Sequence, residues 1–126
     1  MTQIFLTIAA IFGGLSVAAG AFGAHALREK VSERMLEIFD TGARYQMYHA
    51  LALLLVAILI SRFETPPTTL LASGWLFIIG VVIFSGSLYA ITFSGIKSLG
   101  AIAPLGGVSL MAGWAALAIT AATIKF

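Results

Sequence analysis

Cysteine is absent from this 126-residue chain and charged residues are scarce. The lack of cysteine excludes disulfides, thiolate metal sites and a cysteine nucleophile. Only 10% of the residues are charged and 60% are hydrophobic, whereas soluble domains carry about 25% charged residues. Seven Lys and Arg against five Asp and Glu are too few and too dispersed for a nucleic-acid surface, which needs clustered cations. The composition therefore indicates an integral membrane protein.

Four long apolar segments account for most of the chain. The first, residues 3–24, contains no charged side chain and as a helix is long enough to cross a hydrocarbon core of about 30 Å. No basic residue precedes it, so we expect a retained helix and not a cleaved signal peptide. The Pro66–Pro67 pair and a turn near Gly95 separate the later segments. We predict an all-α integral membrane protein with a single transmembrane domain over 1–126, whose four transmembrane helices cover about 3–24, 44–61, 70–93 and 99–124.

A charged segment lies between the first two spans. Eight of the twelve charged residues fall in residues 28–44. Hydrophobic residues recur there with the period of a helix, from Val31 to Phe39, and Gly42 follows as a candidate stop. Because the segment is too charged to span, we predict a separate interfacial amphipathic helix over about 28–41.

The cations are distributed unequally between the two ends of such a bundle. One side carries two, Arg62 and Lys125, and the other carries five. The five are Arg28, Lys30, Arg34, Arg44 and Lys97. The positive-inside rule therefore predicts both termini outside the cytoplasm and residues 28–44 within it. We expect a multi-pass protein of the bacterial cell membrane (the inner or plasma membrane), in contact with the lipid bilayer.

Polar residues within the spans concentrate in one half of the membrane. In a hairpin topology, the end of span one, the start of span two and the end of span three share that half. Because a polar group in hydrocarbon costs free energy unless it has a partner, we predict that these residues converge between the helices. The candidate polar cluster is His25, Tyr45, Gln46, His49, Ser85 and Tyr89. Two interpretations stay open, namely a small-ligand or proton site, and interhelical hydrogen bonds that set helix register.

Catalytic and metal-binding arrangements are not evident among these residues. His25 and His49 are candidate haem or metal ligands, but the spans contain no Cys, Asp or Glu to complete a metal shell. A Ser–His–acid arrangement at Ser85 and His49 would need a carboxylate from the charged segment, and no nucleophile-elbow motif accompanies it. We therefore expect no cofactor and no metal, and we favour a non-enzymatic protein over an enzyme.

Small residues recur at every fourth position on several spans, as they do where helix backbones approach closely. Such faces favour a compact bundle or a homo-oligomer. The predicted helix-packing positions are Ser16, Gly20, Ala24, Gly86, Gly106, Gly107 and Gly113. Trp114 lies in mid-span, away from the interfacial belt where Trp usually sits. Its indole N–H needs a partner, so we expect it to pack inward.

Four motifs of this chain resemble those of one known family. They are GAFGAHAL at 20–27, FxTGxxYQxYHALAL at 39–53, FSGSLY at 84–89 and APLGG at 103–107. In this order they resemble the domain-of-unknown-function 423 family, the YgdD/YwdK-like small multi-pass membrane proteins. The resemblance covers the whole chain. It implies a small multi-pass membrane protein and carries no biochemical activity with it.

Three functions are compatible with these features. The first is a non-enzymatic accessory or structural component of the membrane, with a second copy or other membrane proteins as partners and no nucleic acid. The second is a small oligomeric transporter, channel-like or lipid-binding protein that uses the polar cluster in the cytoplasmic half. The third is a membrane enzyme acting on a lipid through His25 or His49. No charged residue lies deep in a span, which argues against ion-coupled transport, and we predict the first function.

Overall fold

Four long helices joined by short connections form the molecule. The computed structural model describes residues 1–126, and each of the four helices is long and apolar enough to cross a membrane. The prediction of an all-α integral membrane protein with four transmembrane helices is confirmed. The elements are α1 (Thr2–Ala24), a 3₁₀ turn (Leu27–Glu29), α2 (Glu33–Ile60), α3 (Thr68–Ser94), a second 3₁₀ turn (Lys97–Ala101) and α4 (Ala103–Thr123).

Local signals set the ends of these helices. Ser32 caps α2, because its Oγ accepts a hydrogen bond from Met35 N at 3.2 Å. Pro67 immediately precedes α3, and Pro104 sits in the first turn of α4, where a helix needs no backbone N–H. α3 stops at Gly95, whose φ of 71° lies in the left-handed region that favours glycine.

The charged segment is not the separate amphipathic helix that its composition predicts. Residues 33–44 form the N-terminal turns of α2, which is 28 residues and therefore about 42 Å long. Gly42 does not end the helix. Its missing side chain lets α3 approach, since a Cβ there would lie 3.0 Å from Tyr89 Cε1. The charged side chains remain exposed along these turns, and Arg44 pairs with Asp40 at 2.8 Å.

α2 and α3 form the centre of the bundle. Of the most apolar stretch of each helix, 50% is buried in α2 and 39% in α3, against 17% in α1 and 22% in α4. α1 packs along α2, and α4 packs along α3. The two outer helices therefore present broad apolar faces outward, including Leu15 on α1 and Met111 on α4. Lipid tails are as apolar as leucine, so these faces are suited to contact with the hydrocarbon of the bilayer.

The apolar core lies in the half of the bundle nearest the connection between α2 and α3. Phe5 of α1 reaches across to α3, where a Cβ at Gly74 would lie 2.7 Å from Phe5 Cζ. The core residues are Phe5, Ala9, Ala52, Leu53, Val56, Ala57, Ile60, Leu70, Phe77, Val81 and Leu110. Since neighbouring helices run antiparallel, the polar residues of α2 and α3 fall together in the opposite half.

Candidate functional site

Gln46 links three helices in the polar half of the bundle. Its side chain is 5% exposed, and its Nε2 donates to Phe12 O of α1 at 2.9 Å. Its Oε1 accepts a hydrogen bond from Tyr89 Oη of α3 at 2.7 Å. Because the Phe12 carbonyl can only accept, the amide nitrogen must face α1 and the amide oxygen must face α3. One side chain thus ties both neighbours to α2.

His49 uses both of its ring nitrogens within the chain. Its Nδ1 lies 2.7 Å from Tyr45 O, and its Nε2 lies 3.0 Å from Trp114 Nε1 of α4. A carbonyl only accepts and an indole N–H only donates. His49 is therefore the neutral tautomer with its proton on Nδ1, and it joins α2 to α4. The indole N–H of Trp114 points inward, although 46% of that residue is exposed.

Ser85 binds α3 to the backbone of α2. It is 1% exposed, and its Oγ donates to Gly42 O at 2.7 Å. Tyr89, one turn further on, packs its ring against the same glycine. Ser109 makes the equivalent bond between α4 and α3, donating to Leu76 O at 2.8 Å. Hydroxyl-to-carbonyl bonds of this kind hold helices together in the absence of water.

Two residues of the predicted cluster do not enter the interior. His25 is exposed, because α1 ends at Ala24 and leaves it beyond the last turn. Tyr45 is 41% exposed, and its ring stacks on His49 with the ring centroids 6.2 Å apart. Tyr45 and Gln46 differ by about 100° around α2, so only one of them points between α1 and α3. The expected six-residue cluster is therefore three buried residues (Gln46, His49 and Ser85), the half-buried Tyr89 bonded to Gln46, one residue at the edge and one outside.

The predicted packing positions differ in the same way. Ser16, Gly106 and Gly113 are buried. A Cβ at Gly113 would lie 2.7 Å from Phe77 Cδ1, so α4 approaches α3 closely there. Gly107 is half-buried at the edge of that contact.

Three other predicted packing positions are exposed and make no close contact within the chain. They are Gly20, Ala24 and Gly86, and a Cβ on either glycine would have no neighbouring atom within 4 Å. A four-residue repeat turns by about 40° at each step, so a stripe that starts at Ser16 leaves the contact face. A seven-residue repeat drifts by only about 20°. Gly23, seven residues after Ser16, is the position that packs, since a Cβ there would lie 3.2 Å from Phe39 Cδ1.

Two further close contacts are not marked by the small-residue pattern. Gly74 meets Phe5, and Gly80 meets Leu110, whose Cδ2 would lie 2.5 Å from an added Cβ. The residues four positions away from each glycine are large, so neither belongs to a small-xxx-small repeat. A large side chain on the facing helix fills the space instead.

A groove opens toward the membrane beside His49. It has a volume of about 350 Å³, and its lining residues come from α2, α3 and α4. Its lining residues are Tyr45, His49, Phe84, Gly107, Leu110, Met111 and Trp114. No buried side-chain nitrogen or oxygen in the molecule lacks a hydrogen-bond partner, and no three His, Asp or Glu side chains lie together. The site is a set of interhelical bonds beside an apolar recess.

The part of the chain that matches a known family includes most of this hydrogen-bond network. The family described as "Protein of unknown function (DUF423)" matches residues 19–107. The chain belongs to this family. The matched stretch contains Gln46, His49, Ser85 and Tyr89, whereas Trp114 lies beyond it. The family resemblance carried by the sequence motifs is thereby confirmed.

Relatives of this DUF423 protein match over almost its full length. The UPF0382 membrane protein YwdK of Bacillus subtilis is 42% identical over 124 residues, which are 98% of each chain. UPF0382 membrane proteins of Staphylococcus epidermidis and Staphylococcus aureus are each 40% identical over 124 residues, again 98% of each chain. No solved structure matches the chain. With four membrane-spanning helices and relatives named as membrane proteins, this DUF423 protein is an integral membrane protein.

Proposed function

We propose that this DUF423 protein is a non-enzymatic accessory or structural component of the membrane. One observation carries the proposal: every buried polar side-chain atom already has a hydrogen-bond partner within the chain. Catalytic sites keep an acid, base or nucleophile within reach of a substrate. Here the amide of Gln46 bonds α1 and α3, and the imidazole of His49 bonds Tyr45 O of its own helix and Trp114 of α4. Polar groups used in this way specify how helices pack.

The outward faces of α1 and α4 support assembly with other membrane proteins. Both helices are mostly exposed and apolar. On α1, Gly14 and Gly20 have open space where a side chain would be. Exposed glycines of this kind permit the backbone of another transmembrane helix to approach closely. A partner helix, or a second copy of this chain, therefore fits the α1 face.

Affinity purification from native membranes tests the accessory role. A tagged copy is extracted with its surrounding lipid in polymer nanodiscs, and co-purifying proteins are identified by mass spectrometry. We expect a defined membrane-protein complex. Gly20→Leu should release the partner, whereas Gly86→Leu, an equally open position on α3, should retain it. Recovery of the chain without any partner protein would contradict the proposal.

We further propose that the protein resides in the bacterial cell membrane with both termini outside. The named relatives are bacterial membrane proteins, and the five-to-two division of Lys and Arg supports the orientation. Ser98 and Thr65 are exposed residues in connections on opposite sides. A membrane-impermeant maleimide added to intact cells should label Thr65→Cys and spare Ser98→Cys. The reverse labelling pattern would invert the orientation.

A second candidate function is that of a small oligomeric transporter or lipid-binding protein. The groove of about 350 Å³ beside His49 favours it, because an apolar ligand could enter from the membrane. This function predicts a homo-oligomer that carries a bound lipid or small molecule after purification. Gly107→Leu should remove that ligand by filling the groove, since a Cβ at Gly107 lies 3.9 Å from Phe84 Cδ1 and leaves room to fold. An unchanged ligand content would exclude this groove as its site.

A further inference from the structure

A second groove lies on the side of the bundle that carries the first and third connections. Its volume is about 450 Å³, and it is enclosed by the start of α2, the end of α3 and the 3₁₀ turn before α4. The lining residues are Arg34, Met35, Ile38, Leu88, Ile91, Lys97, Gly100 and Ala103. Two of the eight are cations, five are hydrophobic and none is acidic.

The N-terminal turns of α2 separate their charges onto two sides. Glu37 and Asp40 line a different recess, toward α1, together with Arg28. Asp40 is also paired with Arg44. Arg34 instead lines the groove toward α3. Its contact with Glu37 is long, at 3.8 Å, and the two side chains are 79% and 73% exposed, so this ion pair holds the guanidinium weakly.

The cations stand at the rim of the groove, and the apolar residues lie deeper. Lys97 begins the turn that leads into α4 and forms no ion pair in the structure. Leu88 lies six residues before the end of α3, which places it about 9 Å further into the membrane. Ile38, one turn beyond Arg34, faces the same groove. An anionic head group at the rim and an acyl chain below it match this order.

We propose that this groove binds an anionic phospholipid. Arg34 and Lys97 contact the head-group phosphate, and one acyl chain lies along Ile38 and Leu88. A guanidinium binds phosphate oxygens through two N–H groups and an ammonium acts as a point charge. Two lining cations, with no carboxylate among the lining residues and only the weak outward contact of Arg34 with Glu37, favour a lipid of net negative charge over a zwitterionic one. The hydrophobic majority of the lining favours a lipid over free phosphate. The inference concerns a site separate from the His49 groove and does not depend on the accessory role.

Lipid retention by the full-length protein tests this site. The protein is reconstituted in nanodiscs of equal phosphatidylglycerol and phosphatidylcholine, and retained lipids are counted by native mass spectrometry. We expect the wild type to retain phosphatidylglycerol preferentially. The double variant Arg34→Gln, Lys97→Gln should lose about 25-fold in that preference, at roughly fivefold for each cation. The double variant Arg62→Gln, Lys125→Gln changes the net charge equally on the other side and should keep the preference. All four cations are exposed, so both variants should fold.

Gly100→Phe distinguishes a groove from general attraction to a basic surface. An added Cβ at Gly100 has as its nearest neighbour Ile91 Cδ1, at 3.7 Å, so an aromatic ring can enter the groove without a change of charge. We expect the loss of preference to approach that of the Arg34 and Lys97 variant. Four results would overturn the proposal. They are equal retention of both lipids by the wild type, an equal loss in the control variant, no effect of Gly100→Phe, and displacement of the lipid by excess inorganic phosphate.

Discussion

Replacing Gly106 by alanine should weaken the bundle, whereas the same change at Gly86 should not. Both glycines lie inside helices, so either substitution improves helix propensity by about 0.5–1 kcal/mol. A Cβ at Gly106 would lie 2.8 Å from Phe84 Cα and closer still to the Phe84 backbone nitrogen. A Cβ at Gly86 would meet nothing within 4 Å. The matched pair therefore isolates one helix–helix contact.

The loss of stability in Gly106→Ala depends on which atoms the added Cβ would meet. The obstacle at Gly106 is backbone, which cannot rotate aside as a side chain can. Carbon atoms in good contact are about 3.5–4.0 Å apart, so α4 must move from α3 by roughly 1 Å at this point. Overpacking of this kind costs about 1–3 kcal/mol. Since the propensity gain is common to both variants, the difference between them is this contact term alone.

Unfolding of the purified protein in mixed micelles by SDS, followed by far-ultraviolet circular dichroism, measures the difference. The free energy of unfolding should fall in Gly106→Ala relative to Gly86→Ala by about 1–3 kcal/mol. The same shift should weaken the hydrogen bond from Ser109 to Leu76 O, one turn further along α4. Equal unfolding free energies in the two variants would refute the close approach of α3 and α4 at Gly106.

Three other substitutions test separate parts of the fold by the same measurement. Leu53→Ala should lower the unfolding free energy by about 2–5 kcal/mol because Leu53 is 0% exposed. The control is Leu51→Ala, at an outward position. An equal loss in the two variants would show that Leu53 is not a core residue. Tyr89→Phe should cost about 0.6–2 kcal/mol for one interhelical bond, unlike the exposed control Tyr48→Phe, and equal losses would count against that bond. Gly20→Leu should leave the isolated chain as stable as wild type. Marked destabilisation would instead support the helix contact at Gly20 that the sequence predicts.

The four spans follow from the sequence because a membrane imposes a rule that acts along the chain. Each backbone polar group must be satisfied within its own helix, and each helix must be long and apolar enough to cross the hydrocarbon. Residues 3–24 meet both conditions without reference to any other segment. Breaks at Pro66–Pro67 and Gly95 are equally local, since they depend on the backbone of one or two residues. Family membership is likewise carried by short motifs.

The inward position of most polar residues was also predictable, but their partners were not. Gln46, His49, Ser85 and Tyr89 had to find hydrogen bonds in an apolar surrounding, and antiparallel helices bring them to one half of the bundle. The acceptors for Gln46 and Ser85 are backbone carbonyls, at Phe12 and Gly42. Every residue has a carbonyl, so no sequence pattern marks the one that will be used.

The structure of the charged segment, and the choice of which glycines make helix contacts, depended on how the packed helices are rotated toward one another. Residues 33–44 are too polar to span by composition, yet they continue α2, and Gly42 within them receives Tyr89 of α3. Gly20 fits the small-residue repeat and faces outward, whereas Gly23 meets Phe39. A glycine stabilises a contact only when another helix faces it at close range. Which face meets a neighbour is set by the rotation of each helix about its axis, and that rotation arises from packing between segments far apart in the chain.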